Sequence, residues 1–195
     1  MTDALLVVTC YLLGSIVPGV IVSRARGMDV RERDLPGASG IYRQLGPQWG
    51  VLVLAADIAK GLLAGGLAIL GSAPWTVPLC GLAVVAGHLW PAFFNFRGGG
   101  GIATALGFLL VHVTGPLTIA VGIGLLAAGV YYLLYFRRKP RAIYPLPFGS
   151  IFGFSALLWY ARHHPIELWA VALIAVAIFL RGLAMLRVGT RPTRG

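Results

Sequence analysis

The sequence predicts an all-α, polytopic membrane protein, a single domain over residues 1–195 with about seven transmembrane helices, N-terminus outside and C-terminus cytoplasmic. Three observations predict it. Hydrophobic residues make up 58% of the chain against 11% charged, and mean hydropathy is +0.84, too apolar for a soluble domain of this size. The apolar residues gather in stretches that approach or exceed the roughly 18 needed to cross a hydrocarbon core. The basic residues cluster at the ends of those stretches.

The spans read, in order, as 4–23, 49–71, 74–96, 102–114, 116–136, 147–162 and 166–186. The first is long, lacks a basic leader and shows no cleavage site, so it reads as a retained span rather than a signal peptide. The second carries Asp57 and Lys60 three residues apart on one helical face. Charges inside a membrane are costly, and a structural ion pair between them is the plain expectation; orienting a substrate-binding loop is the alternative. The third ends in the aromatic run "HLWPAFFNF" (88–96). Residues 102–136 divide at Thr114-Gly115-Pro116, because one helix over that range would be about 50 Å long at 1.5 Å per residue. The sixth reaches Trp159 and Tyr160, suited to an outer aromatic belt, and Tyr131, Tyr132 and Tyr135 suit an inner one.

The net charge of +10 raises nucleic acid as a partner, but its distribution points to topology instead. With the N-terminus outside, 14 of the 16 basic residues fall on the cytoplasmic side; only Arg162 lies outside and Lys60 within a span. Cys10 and Cys80 sit in apolar runs and read as packing. No Cys/His cluster and no His-Glu-x-x-His motif calls for a metal, and nothing calls for a cofactor.

Two segments of the cytoplasmic face carry candidate chemistry. Gly98, Gly99, Gly100 and Gly101 form a bare turn before Ile102-Ala103-Thr104, with Arg97 beside it. At the start of a helix, uncovered N–H groups and the helix dipole favour an anion, so this stretch is a candidate phosphate cradle. It lacks the Gly-Lys-[Ser/Thr] ending of a Walker loop, and a tight turn between packed helices is the structural alternative. The first loop, "RARGMDVRERDLPGASGIYRQLGPQ", gathers Gly37, Ser39 and Arg43, which suit an anion held by main-chain donors and a guanidinium. A solvated loop whose arginines set topology and touch anionic headgroups accounts for most of the same residues. His88 either donates to a substrate oxygen or packs.

Taken together, these segments resemble the acyl-phosphate:glycerol-3-phosphate acyltransferases, small seven-span bacterial membrane enzymes. "YLLGSIVPG" (11–19) is similar to the family's first-span pattern, and Asp29-Val30-Arg31 to the D-[IL]-R that opens its first cytoplasmic motif. "GASGIYRQLG" (37–46) resembles the end of that motif, and "GVLVLAADIAKG" (50–61) the D-x-x-K-G span. "GHLWPAFFNFRGGGGIATALG" (87–107) resembles G-H-x-[FY]-P-x-F-x-x-F-K-G-G-K-G-V-A-T-x-x-G, and "RVGTRP" (187–192) faintly echoes the C-terminal motif.

The resemblance implies an acyl phosphate and glycerol-3-phosphate as substrates, lysophosphatidic acid as product, membrane lipid as surroundings, and no nucleic acid. It implies the bacterial inner membrane with a cytoplasmic active face, and direct attack without an acyl-enzyme. Carried onto this chain, it suggests Arg43, His88 and Arg97 as catalytic residues. Gly37, Ser39, Gly98, Gly99, Gly100, Gly101 and Thr104 become the substrate-binding set. The chain departs from the family in four places, one of them a T-R-Y-x-S-L-x-S-I loop that survives only as Arg138 and Ser150-Ile151. Gly100 stands where the family has lysine, and Asp34-Leu35-Pro36 replaces a G-S-G-N segment in a loop two residues shorter. "LRGLAMLRV" (180–188) replaces R-H-x-x-N-I. A relative that keeps the fold to bind an acyl phosphate or lipid, or to partner an active enzyme, is the second reading these departures suggest.

Overall fold

The computed structural model describes residues 2–139 and 143–188, with side chains described through Ala184. Nine α-helices and no strand are found among them: α1 (Asp3–Ser15), α2 (Pro18–Ala25), α3 (Ala38–Leu45), α4 (Pro47–Ala68), α5 (Thr76–Leu89), α6 (Ile102–His112), α7 (Thr114–Tyr131), α8 (Pro145–Ala161) and α9 (Pro165–Val188). A π-helical turn, Tyr132–Phe136, extends α7.

Prolines open α2, α4 and α8, where a missing N–H has no helical partner to lose. The first apolar stretch is therefore two helices, broken at Ile16 and Val17, which are both extended. The break exposes carbonyls at membrane depth, and the buried Lys60 of α4 satisfies them: its Nζ donates to Ile16 O at 2.9 Å and Gly14 O at 3.3 Å.

The helices pack in pairs, α1 with α5, α4 with α6, α7 with α8 and α5 with α9. Small residues bring backbones into contact. A Cβ on Gly61 of α4 would lie 2.2 Å from Thr104 O, and one on Gly107 of α6 would lie 2.1 Å from Ile58 O. The core holds Leu6, Phe108, Leu109, Leu157 and Ile174, while Leu63, Leu126, Leu134 and Phe179 stay exposed on the rim. Asp57, Lys60, His88 and Thr104 are buried inside. An apolar exterior around interior charges is the arrangement a bilayer selects.

Five helical segments are long and apolar enough to cross a membrane: Asp3–Ala25, Pro47–Ala68, Thr76–Phe94, Thr114–Phe136 and Pro165–Ala184. α6, with 11 residues, and α8, with 17, are shorter, about 16 and 25 Å against a hydrocarbon core of about 30 Å. The division of 102–136 falls at Val113 rather than at Thr114–Pro116. Pro116 sits in the first turn of α7, where proline is tolerated, so it begins a helix instead of separating two. The first loop also has structure of its own. α3 turns Ile41 inward to form a small second core with Val30 and Val53.

Candidate active site

The site is built on the end of α5. Its last carbonyls have no helical partner, and the chain folds back on them through Asn95 and Phe96, both left-handed. Gly98 N donates to Leu89 O at 3.2 Å and Gly99 N to His88 O at 3.0 Å. Gly101, at φ +83°, then turns the chain into α6, a conformation that favours glycine. Two of the four amides expected to cradle phosphate are thus spent inside the protein. Gly100 and Gly101 show no such backbone bond among the described residues.

A buried triad supports the turn from below. Lys60 Nζ lies 2.9 Å from Asp57 Oδ1 and 2.7 Å from His88 Nδ1, and Asp57 Oδ1 lies 3.3 Å from the same ring nitrogen. Asp57 Oδ1 has no aligned hydrogen bond, so its tie to Lys60 is a charge contact. An ammonium has only donors, so Lys60 donates to His88 Nδ1. That assigns the ring proton to Nε2, which faces Gly99: a Cβ there would sit 2.3 Å from Nε2. His88 is only 2% exposed, and its ring lies directly under the turn. By contrast, nothing lies within 4 Å of a Cβ built on Gly100.

Arg181 of α9 approaches from the side, its Nη2 donating to Gly98 O at 2.9 Å. Among the described residues its buried Nε has no partner, and neither has the hydroxyl of Thr104. Arg97 is exposed at the mouth of the turn.

The first loop is tied to this structure by Arg31. Its Nη1 donates to Phe94 O at 2.9 Å, and its Nε donates to Asp29 Oδ1 at 2.8 Å. The Arg31 guanidinium holds the Asp29 carboxyl well below the usual carboxylate range, and Asp29 in turn raises the Arg31 pKa. Arg43 is engaged differently from expectation. Asp34 takes both faces of its fork, from Nε and Nη2 at 2.8 Å each, and the guanidinium lies 4.5 Å from the Tyr144 ring centre. Hydrogen bonding to Asp34 raises the Arg43 pKa. Ser39 is exposed in the first turn of α3, and Gly37 caps that helix.

The structure therefore gathers His88, Asp57, Lys60 and the glycine turn into one unit. No side-chain hydrogen bond or ion pair joins Arg43 or Ser39 to that unit among the described residues. Arg31 and Arg181 were missed as site residues because each reads, in sequence, as one more topology-setting charge. The available signals were the Asp-x-Arg spacing at 29–31 and the arginine that "LRGLAMLRV" (180–188) shares with R-H-x-x-N-I. Of the C-terminal echo, Gly189–Pro192 lie outside the described residues. No three His, Cys, Asp or Glu side chains gather as a metal site among those described.

Fold and site together define an integral membrane protein with a basic, glycine-lined polar face. Comparison with known proteins makes this particular. The sequence model of the family described as glycerol-3-phosphate acyltransferase matches residues 4–187, and the chain belongs to that family. Glycerol-3-phosphate acyltransferase 2 of Deinococcus radiodurans is 48% identical over 153 residues, 76% of each chain. Glycerol-3-phosphate acyltransferase of Rubrobacter xylanophilus is 38% identical over 184 residues, 84% of this chain and 90% of its own. The crystal structure of PlsY (YgiH), an integral membrane glycerol 3-phosphate acyltransferase in its glycerol 3-phosphate form, superposes with a TM-score of 0.79 at 28% identity, covering 99% of this chain and 96% of that one. Its lysophosphatidic acid form gives 0.77.

Proposed function

We propose that the chain transfers a fatty acyl group from an acyl phosphate to glycerol-3-phosphate, at the cytoplasmic face of a bacterial inner membrane. The observation that carries this reading is the gathering of the glycine turn, Arg97, Arg181 and the Arg31-tethered first loop at one end of an otherwise apolar bundle. The glycerol hydroxyl oxygen attacks the acyl carbonyl carbon, and the bond from that carbon to the phosphate oxygen breaks. The hydroxyl is itself the nucleophile and its proton leaves on the departing phosphate, so neither a side-chain nucleophile nor a side-chain base is required. What the reaction does require is two held phosphates, an aligned hydroxyl and donors for developing charge. Arg97 and the open amides at Gly100 and Gly101 serve a phosphate, and the triad under Gly99 keeps the turn in place. In the first loop, a substrate phosphate reaches Arg43 by displacing Asp34, with Gly37 and Ser39 at the adjacent helix start.

Seven crossings with the N-terminus outside fit the pairing of the ends. Arg31 with Phe94, Arg43 with Tyr144 and Arg181 with Gly98 join segments assigned to the cytoplasmic side. Asp3 accepts from Ser72 and Thr76, and Trp75 packs on Trp169, both between segments assigned outside. Since α6 leaves the glycine turn and α7 returns to the Tyr144 side, α6 serves as a short crossing.

The test is phosphate release and lysophosphatidic acid formation by the purified protein in lipid cubic phase, with palmitoyl phosphate and glycerol-3-phosphate. Turnover is expected, and Arg97→Ala is expected to lower it about 10²-fold. An inactive natural protein, under conditions where a relative turns over, overturns the reading.

A further inference from the structure

We propose that Arg181 is a phosphate-binding residue of this site, supplying with Arg97 the positive charge that Gly100 does not. The inference rests on the proposed function only for the identity of the phosphate compound. Of the six acids of the chain, Glu32 and Glu167 make no ion pair among the described residues. Asp3 is bonded at the opposite end, and Asp57 is held in the buried triad. Asp29 pairs with Arg31 and Arg24, and Asp34 with Arg43. Among the described residues, neither Arg97 nor Arg181 has a carboxylate partner, and Arg97 directly precedes Gly98, whose carbonyl Arg181 grips.

Two guanidiniums on one turn without a carboxylate favour an anion that offsets their mutual repulsion. Arg181 is also only partly used. One N–H holds Gly98 O, and the buried Nε is without a partner among the described residues, in a side chain that offers five donors in a rigid fork. A guanidinium of this shape matches phosphate better than an ammonium does. Its position supplies the second half of the argument. Gly98, whose carbonyl it grips, is two residues from Gly100, where a Cβ meets open space and the backbone is not left-handed. A lysine is sterically admissible at Gly100 and is absent. Arg181 reaches the same turn from α9, so the charge comes from a different helix. The ligand is a phosphate dianion, either the headgroup of glycerol-3-phosphate or the phosphate of the acyl donor.

Four variants of the full chain test this: Arg181→Gln, Arg181→Lys, Arg181→Ala and Arg181→Ala with Gly100→Lys. Binding of glycerol-3-phosphate and, separately, of palmitoyl phosphate is read by ligand-dependent thermal shift, beside turnover. Arg181→Gln retains a donor for Gly98 O without the charge, so it separates holding the turn from holding the ligand. The expected result is affinity weakened about tenfold or more in Arg181→Gln and Arg181→Ala, largely kept in Arg181→Lys, and recovered when Gly100→Lys is added to Arg181→Ala. The ligand whose affinity falls identifies which phosphate the site holds. Natural affinity for both ligands in Arg181→Gln overturns the proposal, and so does a failure of Gly100→Lys to recover binding in a folded double variant. Binding that depends on Arg181 in a protein without turnover sustains this inference while defeating the proposed reaction.

Discussion

Gly99 and Gly100 are adjacent and identical in sequence, yet they face opposite constraints. A methyl on Gly99 meets His88 Nε2 at 2.3 Å, against a ring pinned by Lys60 and Asp57. Gly99→Ala is expected to destabilise by about 1–3 kcal/mol, as overpacking does, while Gly100→Ala leaves the melting temperature in detergent unchanged. Equal melting of the two variants counts against the bracing role of His88. Asp29 makes a second residue-scale prediction, with a definite sign. Its carboxyl is held below its ordinary value chiefly by Arg31, so its stabilisation is complete above about pH 4 and is lost as pH falls through the lowered folded value. Asp29→Asn should therefore melt lower than the natural protein at pH 7, with the gap closing only in strong acid. A gap that closes near pH 6 would assign the effect to another group.

At the scale of elements, the telling feature is that the charged residues of α4 complete the broken helix pair α1 and α2. Lys60 is the partner of Asp57, of His88 and of the carbonyls of Gly14 and Ile16. Lys60→Met leaves a buried carboxylate and two membrane-depth carbonyls unpaired, and a loss of about 3–5 kcal/mol is expected. Chemical or thermal denaturation in detergent measures it; a loss under 1 kcal/mol would show that water or another group fills the place. The α4–α6 contact is steric instead. Gly107→Val has no room beside Ile58 O, so it should part the two helices and shift the glycine turn that opens α6, lowering turnover as well as melting temperature. A normal melting temperature with normal turnover would disprove that coupling.

On the scale of the whole molecule, topology decides whether the site can meet its substrates. Single cysteines at Thr2, Glu32 and Gly115, all exposed, test it with a membrane-impermeant maleimide on intact spheroplasts. Thr2→Cys and Gly115→Cys are expected to label from outside, and Glu32→Cys only after lysis. An unlabelled Gly115→Cys would mean that α6 does not cross. Native Cys10 and Cys80 are buried and leave the background low.

Much of this was legible in residue order. Mean hydropathy, span spacing and the placement of arginines are local or additive quantities, so a helical membrane bundle follows from sequence alone, while the family follows from the resemblance of its motifs. The Asp57–Lys60 contact was legible too, because helical spacing places the two on one face. Three things were not: the break at Val113, the capture of Arg43 by Asp34, and the use of the Gly98 and Gly99 amides by the end of α5. Each depends on which group fills a bond first, and that is settled by geometry. The same holds for Arg181, 83 residues from the carbonyl it grips. Sequence determined the solvent this protein lives in, because burial cost is a property of residue type. Tertiary structure alone decided which cations remain unpaired at the glycine turn, because pairing depends on distance.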